Sequence, residues 1–136
     1  MILLEGINDI GVLTRDAPAS PEVHQALVRD LIAAYAQIVA RAHDHGMRVI
    51  GGALTPFMGS DYYHPTAVNE ADRQAVNAWI RAPGHVDAVA DFDRAVRDRS
   101  QPERLADRYD SGDHLHPSPA GYRAMAGAVP LEFIAP

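Results

Sequence analysis

Short apolar runs alternate along this chain with longer segments of helical periodicity, and this alternation is what most limits the possible folds. Residues 1–4, 47–53 and 86–90 are apolar runs that end near turn or polar residues. Runs of this length and composition predict strands buried in a parallel sheet. A polar or amphipathic segment follows each run, so the order is strand, helix, strand, helix, strand, helix. We therefore predict an α/β fold with a mainly parallel sheet, whose chemistry lies where the strands end.

Three helices are predicted from their start and stop signals. The first begins after a hydroxyl cap at Ser20 and ends at Gly46, because serine caps helices and glycine terminates them. The second runs from a cap at about Asn69 to Pro83, and the third begins after Ser118. Segments 6–11 and 98–110 are predicted as loops. The first helix is predicted to bury an apolar stripe: Val23, Leu27, Leu31, Ala34, Ile38 and Ala42.

Composition narrows the functional classes. A chain of 136 residues favours one domain with one modest core. The absence of cysteine excludes disulfides, thiolate metal sites and cysteine nucleophiles within this sequence. A net charge of −6 without a basic run argues against a nucleic-acid partner. The apolar runs are shorter than the ~18–20 residues that cross a bilayer, so we expect no membrane span.

Two polar segments carry groups suited to a catalytic dyad and to an oxyanion donor. Gly6-Ile7-Asn8-Asp9 follows the first predicted strand, and Asp113-His114-Leu115-His116 precedes the last predicted helix. An aspartate three residues before a histidine can accept a ring N–H and fix the tautomer. An asparagine at a strand end can donate to a developing oxyanion. Either segment alone is more often an ordinary turn, but their combination in this order predicts a catalytic site.

The two segments resemble blocks of the SGNH (GDSL-type) ester hydrolases. Residues 6–9 look like that family's third block, Gly-x-Asn-Asp, and residues 113–116 look like its last block, Asp-x-x-His. Segments 55–57 and 76–81 also fit, so the resemblance covers nearly the whole chain. It implies a flavodoxin-like, three-layer α/β fold, truncated to about three parallel strands with flanking helices. Residues 1–136 would then be a partial domain that begins at the family's third strand.

The resemblance also implies roles for individual residues. His116 would be the general base, Asp113 would orient it, and Asn8 would donate to the oxyanion. Gly6 and Asp9 would support the Asn8 segment. The family's serine block and its second block have no counterpart here, so the nucleophile is unassigned. The serines present, none of which is a good nucleophile candidate, are Ser20, Ser60, Ser100, Ser111 and Ser118.

The implied activity is hydrolysis of a small carboxylic ester through a serine acyl-enzyme, without metal or organic cofactor. Tyr62 and Tyr63 are candidates to line the substrate groove. Because the serine block is missing, we expect this chain alone to have little or no activity. Similar sequence segments occur in secreted bacterial and fungal members of the family, so the resemblance is compatible with secretion. The sequence does not assign a compartment.

Two alternatives are kept. The first is a non-catalytic partner or scaffold protein that retains the family core. An exposed strand edge would then favour a homo-oligomer, or pairing with a separate N-terminal segment. The second is a metal site formed by Asp113, His114 and His116 with His43 or His45, since histidine and carboxylate ligands suit zinc. His-x-His on a loop is a loose pattern for such a site.

Overall fold

A parallel three-stranded sheet forms the centre of the molecule. The computed structural model describes residues 1–134. The strands are β1 (Ile2–Leu3), β2 (Ile50–Gly52) and β3 (Ala88–Ala90), in the order β1-β2-β3. Both strand pairs are parallel. Ile2 on β1 lies opposite Ile50 on β2, and Gly51 on β2 lies opposite Val89 on β3. The predicted α/β class with about three parallel strands and flanking helices is confirmed.

The helices cover both faces of this sheet. Because neighbouring strand residues point to opposite faces, Val49 belongs to one hydrophobic cluster and Ile50 to another. The first cluster joins β1 to α1, α2 and α3, and the second joins β2 and β3 to α4 and α5. The helices are α1 (Ile7–Arg15), α2 (Pro21–Asp44), α3 (Ala67–Arg81), α4 (Phe92–Val96) and α5 (Pro119–Gly127), with 3-10 turns at Asp107–Tyr109 and Leu131–Phe133.

The prediction of a loop at residues 6–11 is wrong, because helix α1 begins at Ile7. Gly6 precedes it with a φ of 117°, a left-handed conformation that favours glycine. Ile10, Gly11 and Thr14 form the buried face of α1. Glycine and threonine on that face carry little hydrophobic signal, so periodicity did not indicate a helix.

Helix α2 lies where it was predicted, and half of the predicted apolar stripe is confirmed, since Leu27, Leu31 and Ala42 pack on the core. Val23, Ala34 and Ile38 are exposed, while the buried residues are His24, Tyr35, Val39 and Ala42. His24 is buried because its Nδ1 lies 2.5 Å from Asp72 Oδ2 on α3. A polar residue buried by a partner 48 positions away is invisible to hydrophobic periodicity.

Helix α3 begins earlier than predicted, after a cap at Thr66 rather than at Asn69. The Val68 N–H donates to Thr66 Oγ1 at 3.3 Å, and the Thr66 N–H donates to Asn69 Oδ1 at 2.9 Å. Asn69 therefore completes a capping box as the third helical residue.

Thr66→Ala should lower the free energy of unfolding by about 1 kcal/mol, because it removes a side-chain cap. Ser20 is the matched control, since it precedes α2 without a side-chain cap hydrogen bond. Urea denaturation should therefore separate the two alanine variants. Equal midpoints for Thr66→Ala and Ser20→Ala would contradict the assigned cap.

The charged segment 98–110 is more ordered than a solvated loop. Leu105 is only 5% exposed, and it bridges to Arg97 in antiparallel fashion. The 3-10 turn at Asp107–Tyr109 follows shortly after Leu105.

Strand β1 lies at an edge of the sheet, and one of its sides is unpaired among residues 1–134. Ile2 on this strand is 45% exposed. Edge pairing with another chain stays a prediction. Within residues 1–134, no helix is long and apolar enough to cross a membrane.

Candidate active site

The carboxyl ends of β1 and β2 are held by polar side chains from the helices. Beyond β1, the Tyr35 hydroxyl donates to the Glu5 carbonyl oxygen at 2.8 Å and accepts the Glu5 N–H at 3.0 Å. Beyond β2, Asn77 Oδ1 accepts the Leu54 N–H at 2.6 Å, and its Nδ2 donates to the Leu54 carbonyl at 3.0 Å. Both backbone groups of each residue are thus satisfied, which holds the segments that follow in place.

Asn8 lies in the first turn of α1, not in the loop that was predicted. The Tyr63 hydroxyl donates to Asn8 Oδ1 at 2.9 Å. Asp9 is exposed in the same turn, where its negative charge is favourable to the helix dipole. The described residues give its carboxylate no hydrogen bond. Asn69 Nδ2 instead braces this turn, by donating to the Ile10 carbonyl at 2.9 Å.

Asp113 and His116 form the predicted local pair. His116 Nδ1 lies 2.6 Å from Asp113 Oδ2. Asp113 Oδ1 accepts the His116 N–H at 2.8 Å, the Leu115 N–H at 3.0 Å and the Ser111 hydroxyl at 2.9 Å. Partial burial opposes ionisation of Asp113, but these hydrogen bonds outweigh it and hold its pKa well below the usual range. An ionised Asp113 keeps the proton of a neutral His116 on Nδ1, which leaves Nε2 as the acceptor.

Asn8 and His116 are brought together, since both line the same two clefts. The first cleft has a volume of about 240 Å³ and mainly apolar walls, including Leu4, Leu54 and Met125. The second, of about 570 Å³, contains polar and aromatic groups. Those groups are Asp61, Tyr62, Tyr63 and Asp113.

The two predicted groove tyrosines differ in exposure. Tyr62 is 59% exposed and meets the Tyr63 ring edge-on, with centroids 4.8 Å apart. Tyr63 is only 5% exposed, so it reaches the second cleft from within the core. No local sequence pattern indicated the burial of Tyr63 or its contact with Asn8, which lies 55 residues away.

The structure does not assemble the histidines of the metal hypothesis. His43 Nε2 lies 2.8 Å from Asp87 Oδ2, and Asp87 also accepts the Val49 N–H at 2.7 Å. That pair is at the amino ends of β2 and β3, away from Asp113. His45 caps the end of α2, and His114 Nδ1 lies 2.5 Å from Asp110 Oδ2. Throughout residues 1–134, no group of three or more histidine, aspartate or glutamate side chains could hold a metal ion.

The serines of the described chain all have other contacts or positions. Ser111 donates to Asp113, on the acid side of the imidazole. Ser60 is 2% exposed and its Oγ accepts the Tyr62 N–H at 3.3 Å. Ser100 donates to Asp98, Ser118 caps α5, and Ser20 precedes α2. None of these hydroxyls hydrogen-bonds His116 Nε2 within residues 1–134.

Comparison with known proteins gives one family. A family model described as the GDSL-like Lipase/Acylhydrolase family matches residues 1–124. That range includes Asn8, Asp113 and His116. No curated protein matches the chain.

Proposed function

The chain belongs to the GDSL-like lipase/acylhydrolase family, and we propose that its site cleaves carboxylic esters by a serine acyl-enzyme mechanism. Family membership supports a general acylhydrolase function. The observation that carries the finer proposal is that Asn8 and His116 line the same two clefts. The proposal is supported because a side-chain amide and an imidazole border the same substrate-sized opening.

In the proposed mechanism, His116 moves the protons. Its Nε2 takes the proton of the attacking hydroxyl, and later delivers that proton to the leaving alcohol. Asp113 accepts from Nδ1 throughout and stabilises the imidazolium that forms. Support for this role comes from the 2.6 Å contact and the lowered pKa of Asp113.

Asn8 is proposed as an oxyanion donor. When a hydroxyl adds to the ester carbonyl, its oxygen becomes an anion that needs hydrogen-bond donors held in place. Asn8 presents Nδ2 for this purpose, because Oδ1 is engaged by Tyr63. Asn8 lies in the first turn of α1, where the positive end of the helix dipole also stabilises a negatively charged oxygen.

The seryl nucleophile is proposed to come from a segment other than residues 1–134, since none of the serines there contacts His116 Nε2. The free edge of β1 offers unpaired backbone groups to such a segment. We propose further that the smaller cleft, which Leu4 and Met125 line, takes the acyl group, and that the larger cleft, which Asp61 and Tyr62 line, takes the alcohol. A small ester is the substrate class that these volumes fit.

The proposal can be tested with the nucleophile supplied as a solute. Acetyl transfer from 4-nitrophenyl acetate is measured as 4-nitrophenolate release, with and without trifluoroethanol as a substitute for the serine. Without the alcohol the wild-type rate should stay near that of buffer, and with the alcohol it should rise above buffer. His116→Ala should lower the protein-dependent rate at least tenfold, since general-base catalysis contributes about 10²–10⁴.

His114→Ala is the matched control. This histidine lies two residues away and also pairs with an aspartate, yet it lines neither cleft. It should leave the rate unchanged, whereas Asn8→Ala should reduce it. Equal rates for the wild type and His116→Ala in the presence of the alcohol would contradict the proposed function.

A further inference from the structure

Tyr63 is packed against α1 in a way that requires glycine at position 11. Its side chain is 5% exposed, and its ring meets Phe57 edge-on at 6.2 Å. A Cβ atom added to Gly11 would lie 2.5 Å from Tyr63 Cγ, well inside van der Waals contact. The missing side chain therefore allows the tyrosine ring to approach the helix backbone.

Two hydrogen bonds complete the attachment of Tyr63 to α1. The Thr14 hydroxyl donates to the Tyr63 carbonyl at 2.9 Å, and the Tyr63 hydroxyl donates to Asn8 Oδ1 at 2.9 Å. Asn8, Gly11 and Thr14 are spaced by three residues, so they share one side of the helix. Tyr63 is thus held at its backbone, its ring and its hydroxyl by a single helix.

The hydroxyl is a fixed donor. Burial raises the pKa of Tyr63, which keeps its proton in place at neutral pH. Since Asn8 Oδ1 accepts the hydrogen bond from this hydroxyl, the amide nitrogen Nδ2 is left to face away from Tyr63. Within residues 1–134, Asn8 Nδ2 donates to no protein group, and Asn8 lines both clefts.

We propose that Tyr63 is a positioning residue, whose hydroxyl fixes the Asn8 amide so that Nδ2 is presented to the clefts beside His116. The catalytic part of this inference rests on the proposed role of Asn8, and the structural part does not. Without the hydroxyl, the oxygen and nitrogen of an exposed amide would exchange places by rotation. Tyr63 then acts on the reaction through Asn8 and need not touch the substrate.

The experiment follows the Asn8 side-chain amide in a ¹⁵N-labelled chain, with its signals identified by their loss in Asn8→Ala. Tyr63→Phe should move the Nδ2 nitrogen signal and its two proton signals towards the separate values of a solvent-exposed asparagine, because the torsion about Cβ–Cγ is no longer fixed. Tyr62→Phe is the control, because it removes a neighbouring hydroxyl that does not contact Asn8. It should leave the Asn8 signals unchanged.

Gly11→Ala supplies a second variant, which displaces the ring but keeps the hydroxyl. It should produce the same change in the Asn8 signals as Tyr63→Phe. In the acetyl-transfer assay, Tyr63→Phe should lower kcat about fivefold with little change in KM, the effect of one neutral hydrogen bond.

Unchanged Asn8 signals in Tyr63→Phe would overturn the proposal. So would an Asn8 change in Tyr63→Phe that Tyr62→Phe reproduces. The spectroscopic result does not depend on turnover. A wild type that stays at the buffer rate even with the alcohol, together with the expected amide changes, would refute the ester-hydrolase function while supporting the positioning of Asn8.

Discussion

Asp93→Ala is expected to lower the free energy of unfolding by about 3 kcal/mol, at the low end of the range for breaking a buried ion pair. Asp93 is fully buried and accepts from Arg73 Nη1 at 2.9 Å, Arg81 Nη2 at 2.6 Å and Arg97 Nη1 at 3.3 Å. Removing it leaves three cations without their shared carboxylate. The fully buried Arg73 cannot regain water.

Arg73 also cannot escape by losing its proton. In the wild type burial opposes its charge, but Glu70 and Asp93 together hold the pKa of the guanidinium above its usual range, and without Asp93 an arginine side chain still stays protonated. Glu70 still faces Arg73 at 2.7 Å in the variant, and for this reason we expect the lower end of the range. A loss of this size is a large part of the stability of a small domain.

Urea unfolding followed by circular dichroism measures the change. Asp16→Ala is the control, because Asp16 pairs with Arg15 at 3.0 Å on the surface, where its side chain is 80% exposed. Exposed pairs contribute little, so its midpoint should equal that of the wild type. The proposed importance of the buried network would be refuted by similar midpoints for the two variants.

Asn77→Leu is expected to cost about 2–3 kcal/mol, because it leaves the buried Leu54 N–H without an acceptor. Leucine has a similar size, so the loss comes chiefly from hydrogen bonding and not from a cavity. The Leu54 carbonyl keeps a donor, since Arg73 Nη1 lies 2.7 Å away. The orphaned donor stands at the end of β2, where the first cleft begins.

Gln74→Leu is the matched control for this second prediction. It replaces an amide by leucine on the same helix, at a partly exposed position whose Nε2 donates to Glu70 Oε1. Such a change should alter stability by less than about 0.5 kcal/mol. If Asn77→Leu and Gln74→Leu have similar midpoints in thermal or urea unfolding, Asn77 does not hold the end of β2 as described.

Both large predictions concern polar groups buried by partners far along the chain. Asp93 lies 20 residues from Arg73, and Asn77 lies 23 residues from Leu54. Neither has a hydrophobic or spacing pattern that marks it. The same holds for Tyr35, whose hydroxyl binds Glu5 from 30 residues away. Such contacts become visible only when the helices are seen packed against the sheet.

Features that depend on neighbouring residues were predictable from the sequence. The contact between Asp113 and His116 closes within one turn, so their spacing of three residues was enough to predict it. Apolar runs predicted the three strands, and serine–proline pairs marked the starts of α2 and α5. Each of these depends on local hydrogen bonds or on the composition of a short segment.

The sequence by itself determined the α/β class, the contact between Asp113 and His116 and the resemblance to a hydrolase family. Tertiary structure alone decided the start of α1, the burial of His24 and Tyr35 on α2, and the attachment of Asn8 to Tyr63 across 55 residues. The physical reason is that a polar side chain can be buried only when a distant partner satisfies it. Local patterns contain no information about that partner.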